Sequence, residues 1–369
     1  LAQVHNDFHL EKYLADGIRD TLKSLLGISR GNPRSALFFA RFARNLQKSQ
    51  QLRLQSEGAG LHVPPFLIAS ITQQCNLNCA GCYAMALAGD ESGCASPGAS
   101  MDAAQWDGIF SEAEALGIGF VLLAGGEPLL KPEILAAAGR HAGILFPVFT
   151  NGTLLSGDAL KLFRRHRNLV PVISLEGGME STDLRRGPGV FSSIFETMKA
   201  LKKTGILFGA SVTVTTDNLE EVLGQAFRET LSSRGCRAII YVEYVPMGAT
   251  DQALAPGAMD RARMMDLLNQ ARQGAELMLL IAFPGDEEAS GGCLAAGRGF
   301  IHIQHDGSTE PCPFSPFSDT NVTSGGIRGA LDSPFFRRLR ESGILTGDHA
   351  GGCVLHQRRA EVEAMAAQR

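Results

Sequence analysis

From Phe66 onward the chain alternates short apolar runs with helical patterns, and this alternation constrains the fold more than any other feature. The runs at 66–72, 119–125, 146–151, 170–177, 208–214 and 238–245 have strand length and are nearly continuous in apolar residues. Helical stretches such as 102–117, 190–205 and 218–235 separate them. Asp102 and Asn218 are expected N-caps, and glycine stands at the expected C-terminal stops. Strand–helix units in a row call for a parallel sheet covered on both faces. Six units are two short of a complete eight-unit barrel. The expected fold class is therefore α/β, a partial (β/α)6 TIM-like barrel over 63–276. A helical segment at 1–62 precedes it, and a small extension at 277–369 follows, where the pattern changes. Within that extension, 299–312 reads as a hairpin closed by Asp306 and Gly307, and 354–368 as a last helix.

A chain of 369 residues with 44% hydrophobic content can bury one large core, or a large and a small one. A net charge of −4 speaks against nucleic acid as the main partner. No apolar run has bilayer-spanning length, since 277–283 is only as long as a core strand. No signal peptide is visible at Leu1, and a cytoplasmic location is expected. The stretch 36–55 sets Arg41, Arg44, Lys48 and Arg53 beside Phe38, Phe39, Phe42 and Leu46. It reads as a basic amphipathic helix packed on the main domain. Contact with a membrane surface or an acidic partner is the alternative.

The stretch "QQCNLNCAGCYAM" places Cys75, Cys79 and Cys82 directly after the first strand. In a parallel α/β sheet, sites sit at the carboxyl ends of strands. Cysteines three or four residues apart rarely bridge without strain, so eight cysteines here do not read as a disulfide framework. Thiols kept for metal in a reducing compartment are the better reading. Four thiolates would close an iron–sulfur or zinc site, and three leave one metal position open. A structural zinc would take its fourth ligand from elsewhere in the chain. Later strands also end in polar groups: Gly125, Gly126 and Glu127 in "AGGEPLL", Thr150 and Asn151 in "FTNGT", and Ser174 and Glu176 in "ISLEGG". Paired glycines allow close backbone approach to a ligand. Arg185 and Arg186 follow in "RRGPG".

The spacing Cys75-x3-Cys79-x2-Cys82 resembles the signature of the radical S-adenosylmethionine (SAM) superfamily. The resemblance implies a [4Fe–4S] cluster on these three cysteines, with SAM bound at the fourth iron. It implies that Gly125, Gly126 and Glu127 meet the SAM ammonium group. Thr150 and Asn151 would meet ribose or methionine, Ser174 would contact SAM, and Arg186 or Arg185 a carboxylate. Glu176 at the rim and Cys94, a hydrogen donor to a product radical, are the catalytic candidates. The chain departs from the pattern at one place. Many members have an aromatic residue just before the third cysteine, where this chain has Gly81, with Tyr83 just after.

Cys293, Cys312 and Cys353 resemble the opening of the SPASM/twitch extension of such enzymes, without its full seven-cysteine pattern. The resemblance implies one auxiliary iron–sulfur cluster on three cysteines. Its fourth position would be open or filled by Asp, Glu, His or substrate, with Asp286 and Glu287 nearby. Over 65–355 the chain is thus similar to an oxygen-sensitive radical SAM enzyme. A reductant such as ferredoxin or flavodoxin would supply the electron. SAM would be cleaved to a 5′-deoxyadenosyl radical, which takes a hydrogen from a peptide, a protein or a small molecule. A cofactor-precursor or lipid substrate at a membrane surface is the alternative. A non-catalytic iron–sulfur electron carrier is the alternative of another class.

Overall fold

The computed structural model describes residues 14, 16–19, 23, 27, 33–88, 100–247, 252–274, 278–346 and 352–368. Helix α1 (Pro33–Gly58) precedes strand β1 (Phe66–Ser70), which leads through the cysteine loop to α2 (Tyr83–Ala88) and α3 (Ala103–Leu116). Next come β2 (Phe120–Ala124), α4 (Pro132–Arg140), β3 (Phe146–Thr150), α5 (Gly157–Arg165) and β4 (Leu169–Leu175). Helices α6 (Met179–Arg186) and α7 (Val190–Thr204) lead to β5 (Gly209–Val214), then α8 (Leu219–Leu223), α9 (Gln225–Ser233) and β6 (Ala238–Glu243). The chain continues with α10 (Ala258–Gln273), β7 (Leu279–Phe283), β8 (Phe300–Ile303) and β9 (Thr309–Glu310). Helices α11 (Val322–Leu331), α12 (Pro334–Glu341), α13 (Val354–Gln357) and α14 (Arg359–Ala366) complete it.

The strands form one curled sheet, a half-barrel, in the order β7-β6-β5-β4-β3-β2-β1-β8-β9. Strands β1 to β8 pair in parallel, and β9 returns antiparallel to β8. The six expected strands are all present. The sheet is wider than expected, because β7 and β8 come from the stretch read as the C-terminal extension. β7 extends the β6 edge, and β8 docks on β1 with Ile68 opposite His302. The expected hairpin forms at Asp306 and Gly307, whose φ of 88° suits glycine.

Local signals explain several helix ends. The Asp102 carboxylate accepts from the Ala104 and Gln105 N–H groups, and Gly117 closes α3 in the left-handed region. Gly205 does the same for α7. Asn218 does not cap α8 as expected. Its side chain accepts from Thr215 N–H and donates to the carbonyls of Glu176 and Thr213, tying the β4 and β5 ends together. The helix read as 218–235 breaks at Gly224, which is extended with ψ 150°. The last helix is likewise split, into α13 and α14.

Alternate strand residues face the helices and fill the main core, in which Trp106, Phe110 and Phe146 are fully buried. A second cluster holds α1 at the opposite end of the barrel from the cysteines. There Phe39, Phe42 and Leu46 pack with Phe120 and Leu145. Gly119 is needed for this contact, since a Cβ there would meet Leu46 Cδ2 at 2.4 Å. Arg53 is buried and donates to the Gly117 carbonyl at 2.7 Å. Arg41, Arg44 and Lys48 remain exposed, but the apolar side chains that an interfacial helix would insert are used by the barrel. Among the described residues no helix is long and apolar enough to cross a membrane.

Phe42→Ala should therefore lower stability by about 3–5 kcal/mol. It should also expose α1 to proteolysis before the barrel, which a melting curve and a timed protease digest would report.

Candidate functional site

The cysteine loop leaves the tip of β1 under close control. Gly126 N–H donates to the Thr72 carbonyl at 2.6 Å, and Glu127 N–H to the Gln74 carbonyl at 2.8 Å. A Cβ on Gly125 would meet Thr72 O at 2.3 Å, and one on Gly126 would meet Gln74 O at 2.1 Å. The close approach that these glycines permit is thus to the chain's own backbone, one residue short of Cys75.

Glu127 is almost fully buried, and its carboxylate is claimed by the chain's own donors. Oε1 accepts from Leu129 N–H at 3.0 Å and Thr150 Oγ1 at 2.8 Å; Oε2 accepts from Asn151 N–H at 2.8 Å. Burial pushes its pKa up against these donors. It joins the ends of β2 and β3. Asn151 then reaches the cysteine loop, donating to Asn76 Oδ1 at 2.9 Å with Cys75 Sγ 4.0 Å away. Asn76 in turn donates to Thr153 Oγ1 at 2.9 Å.

On the opposite side of the loop, Glu176 and the two arginines form a buried network. Arg186 grips Glu176 with two donors, Nε and Nη2, and Arg185 Nη1 adds a third at 2.7 Å. Burial works against the Arg186 charge, but Glu176 outweighs it and the pKa stays above its ordinary value. The Glu176 oxygens are therefore occupied, as is the arginine expected to meet a carboxylate. Arg185 also donates through Nε to the Ala80 carbonyl at 3.0 Å, and its own carbonyl accepts from Ala80 N–H at 2.9 Å. The segment between Cys79 and Cys82 thus hangs from the end of α6.

Burial raises the Cys75 thiol above its ordinary range; Leu77 N–H opposes this, while the charges of Glu127 and Cys82 add to it. Burial likewise raises Cys79, opposed by Arg186 and reinforced by Cys82. Without a metal these thiols stay protonated, so a bound cation is what would make them thiolates. Among the described residues no three His, Cys, Asp or Glu side chains converge closely enough to share one metal ion. Sulfurs around one zinc would stand about 4 Å apart, given Zn–S bonds of ~2.3 Å. Three thiols on one loop, without a fourth in the motif, fit a larger cluster with one position left open.

Ser174 faces the concave side of the sheet, with Ser211 of β5 as its register partner. Tyr83 packs edge-on against Phe314 at 5.2 Å. Burial raises its phenol, with Cys82, Cys312 and Glu310 adding to the effect, so both cysteine regions lie within its electrostatic reach. Cys293 and Cys312 are buried, and Cys353 is half-buried at the start of α13. Asp286 is engaged by Ala282 N–H and Arg272, both at 2.7–2.8 Å. Cys94 and the Glu287 side chain lie outside the described residues. Cys236 is fully buried, donates to the Ala238 carbonyl and is pushed up to about 12 by burial, as befits a core residue.

Sequence reasoning missed one network. Ser70 Oγ lies 2.8 Å from His302 Nε2, and His302 Nδ1 lies 2.7 Å from Glu310 Oε2. All three are buried. They fasten β1, which feeds the first cysteines, to the β8–β9 hairpin that leads to Cys312. The only sequence sign was a histidine in an otherwise apolar strand.

Residues 69–225 match the profile of the radical SAM superfamily. The chain carries a radical SAM domain. That family consists of enzymes that use a [4Fe–4S] cluster and SAM. The chain is similar to the AdoMet-dependent heme synthase of Methanosarcina barkeri, at 26% identity over 77% of this chain and 87% of the relative. It is also similar to the mycofactocin maturase MftC of Mycobacterium tuberculosis, at 28% identity over 80% and 76% of the two chains. The fold matches Streptococcus suis SuiB bound to precursor peptide SuiA, with a TM-score of 0.62 at 16% identity, covering 80% of this chain and 70% of SuiB. It also matches anSMEcpe with bound AdoMet, with a TM-score of 0.57 at 17% identity, covering 73% and 77%.

Glu127→Gln should turn an amide nitrogen towards one of three donors. A loss of about 1–3 kcal/mol in stability is expected, together with faster loss of iron. Thermal melting and a timed iron assay would register both.

Proposed function

We propose that Cys75, Cys79 and Cys82 hold the SAM-binding cluster, and that the enzyme oxidatively modifies a peptide with the help of an auxiliary iron–sulfur cluster at Cys293, Cys312 and Cys353. Cys75, Cys79 and Cys82 would hold the first cluster, which together with SAM would supply radical hydrogen-abstraction chemistry. The chain's own residues orient the partners and exclude water and oxygen. Gly125, Gly126 and Glu127 fix the start of the cysteine loop, and Thr150 and Asn151 carry that order to the loop itself. Ser174 presents a hydroxyl to SAM, while Arg186 and Glu176 supply a fixed, ion-paired wall beside Cys79. In this reading 1–62 is a helical support, 63–276 the radical SAM barrel and 277–369 the auxiliary-cluster region. Ferredoxin or flavodoxin fits as reductant, and cysteines kept for iron fit the cytoplasm.

The observation that carries the substrate class is the concave wall. It is built from Ile68, Leu122, Phe149, Val172, Ile240 and Phe283, with polar groups at Ser70, Ser174, Ser211, Thr213 and His302. Strands β1 to β8 contain no Lys or Arg, and the two arginines at the mouth are paired with Glu176. A peptide side chain and its amides suit this wall. Among the described residues, the strands of the wall offer no Lys or Arg to the acids of a carboxylate-rich macrocycle. SuiB, a match in fold, binds a precursor peptide, and MftC is a maturase. A small-molecule substrate is the second reading, favoured by the heme synthase relative, of which the chain covers 87%.

Anaerobically reconstituted and reduced protein should form 5′-deoxyadenosine faster with the peptide fraction of source-cell extract than with the small-molecule or lipid fraction. Stimulation by the small-molecule fraction alone would replace the peptide reading with the second one. Changing Cys75, Cys79 and Cys82 together to Ala should leave roughly half the iron. Iron-free protein in that variant would remove the auxiliary cluster.

A further inference from the structure

The turn before the third cysteine is shaped by a residue from the far side of the barrel. Gly81 has φ 62°, and a Cβ built on it would lie 2.6 Å from Tyr244 Oη and 3.1 Å from Tyr244 Cε2. Tyr244 follows directly on β6, donates its N–H to the Val214 carbonyl and is 6% exposed. Its ring thus occupies the space that a side chain at 81 would fill. Arg185 completes the contact. Its guanidinium lies over the Tyr244 ring at 5.9 Å while holding the Ala80 carbonyl. Four parts of the chain therefore meet at the turn between Cys79 and Cys82: the cysteine loop, the end of α6, Glu176 after β4, and Tyr244 after β6.

We infer that Tyr244 is a positioning residue for Cys82. It works through an interlock in which glycine at 81 and tyrosine at 244 require one another. This rests on the reading that Cys75, Cys79 and Cys82 hold a cluster. Groups that orient metal ligands typically change affinity by 10–100-fold when removed. A ring wedged against the residue next to a ligand restricts the directions that ligand can take. Tyr244 does so from the sixth strand, about 160 residues along the chain. The hydroxyl is the atom nearest to a side chain built at 81, and the ring edge follows at 3.1 Å.

The test uses the full chain, reconstituted anaerobically, as wild type, Tyr244→Phe, Tyr244→Ala, Gly81→Ala and the double variant. The readouts are the rate of iron release to a chelator and the EPR line shape of the reduced protein. Iron of the first site is taken as the difference between wild type and the variant lacking Cys75, Cys79 and Cys82. Tyr244→Phe should release that iron within about twofold of wild type, and Tyr244→Ala about tenfold faster with a broadened signal. Gly81→Ala should behave like Tyr244→Ala. The double variant should retain iron better than Gly81→Ala alone, because the clash is gone. Tyr244→Leu replaces Tyr244→Ala if the latter fails to fold. Wild-type release and line shape in the truncated variant, or a double variant as poor as the two losses combined, would overturn the interlock. A wild type with no more iron than the triple cysteine variant would overturn the cluster reading, and the interlock with it.

Discussion

The structure depends on one joint, where the backbone after β1 lies against the backbone after β2. Thr72 and Gln74 present carbonyls, and Gly126 and Glu127 present the N–H groups that meet them at 2.6 and 2.8 Å. No side chain fits between the two segments. The cysteine loop begins at the next residue, so its starting direction is set by hydrogen bonds with no slack. Glu127 extends the joint to β3, and Asn151 extends it back to the loop. A buried carboxylate is costly unless its lone pairs are met, and here three donors meet them. Removing any of these donors shifts the place from which the cysteines are presented.

A second support comes from charge. Glu176 and Arg186 are both buried, and such a pair is favourable only with good geometry and further hydrogen bonds. The two-pronged grip and the added donor from Arg185 supply these. The result is an oriented wall beside Cys79 in which one carboxylate holds two guanidinium groups, with one positive charge left over. Together with the largely apolar interior, it suits a reaction from which water has to be excluded.

Much of this was legible in the sequence wherever the signal was local. Strand length, the Asp102 cap, the Gly117 and Gly205 stops and the Asp306–Gly307 turn each follow from a few neighbouring residues, and the structure shows them. What was not legible joins distant parts of the chain. The pairing of β8 with β1 brings together positions over 200 residues apart, and a four-residue apolar run does not announce its partner. Asn218 reads as a cap by its neighbours, yet its amide is taken by carbonyls of β4 and β5. Glu127 reads as a ligand contact by motif, while its carboxylate is taken by Leu129 N–H and, across the sheet, by Thr150 and Asn151 at the end of β3. The arginines after "LEGG" read as free to meet a carboxylate, but Glu176 lies nearer. In each case a buried polar group found its partner within the fold, and no local pattern encodes that choice.

The central claim is that Cys75, Cys79 and Cys82 present a cluster with one open iron to SAM. EPR of the anaerobically reduced protein, recorded before and after SAM is added, tests it most directly. The account predicts a low-temperature signal with a component that shifts on addition of SAM and is missing when the three cysteines are replaced by Ala, which leaves only the contribution of the auxiliary cluster. A signal unmoved by SAM, or one that survives the loss of all three cysteines unchanged, would contradict it.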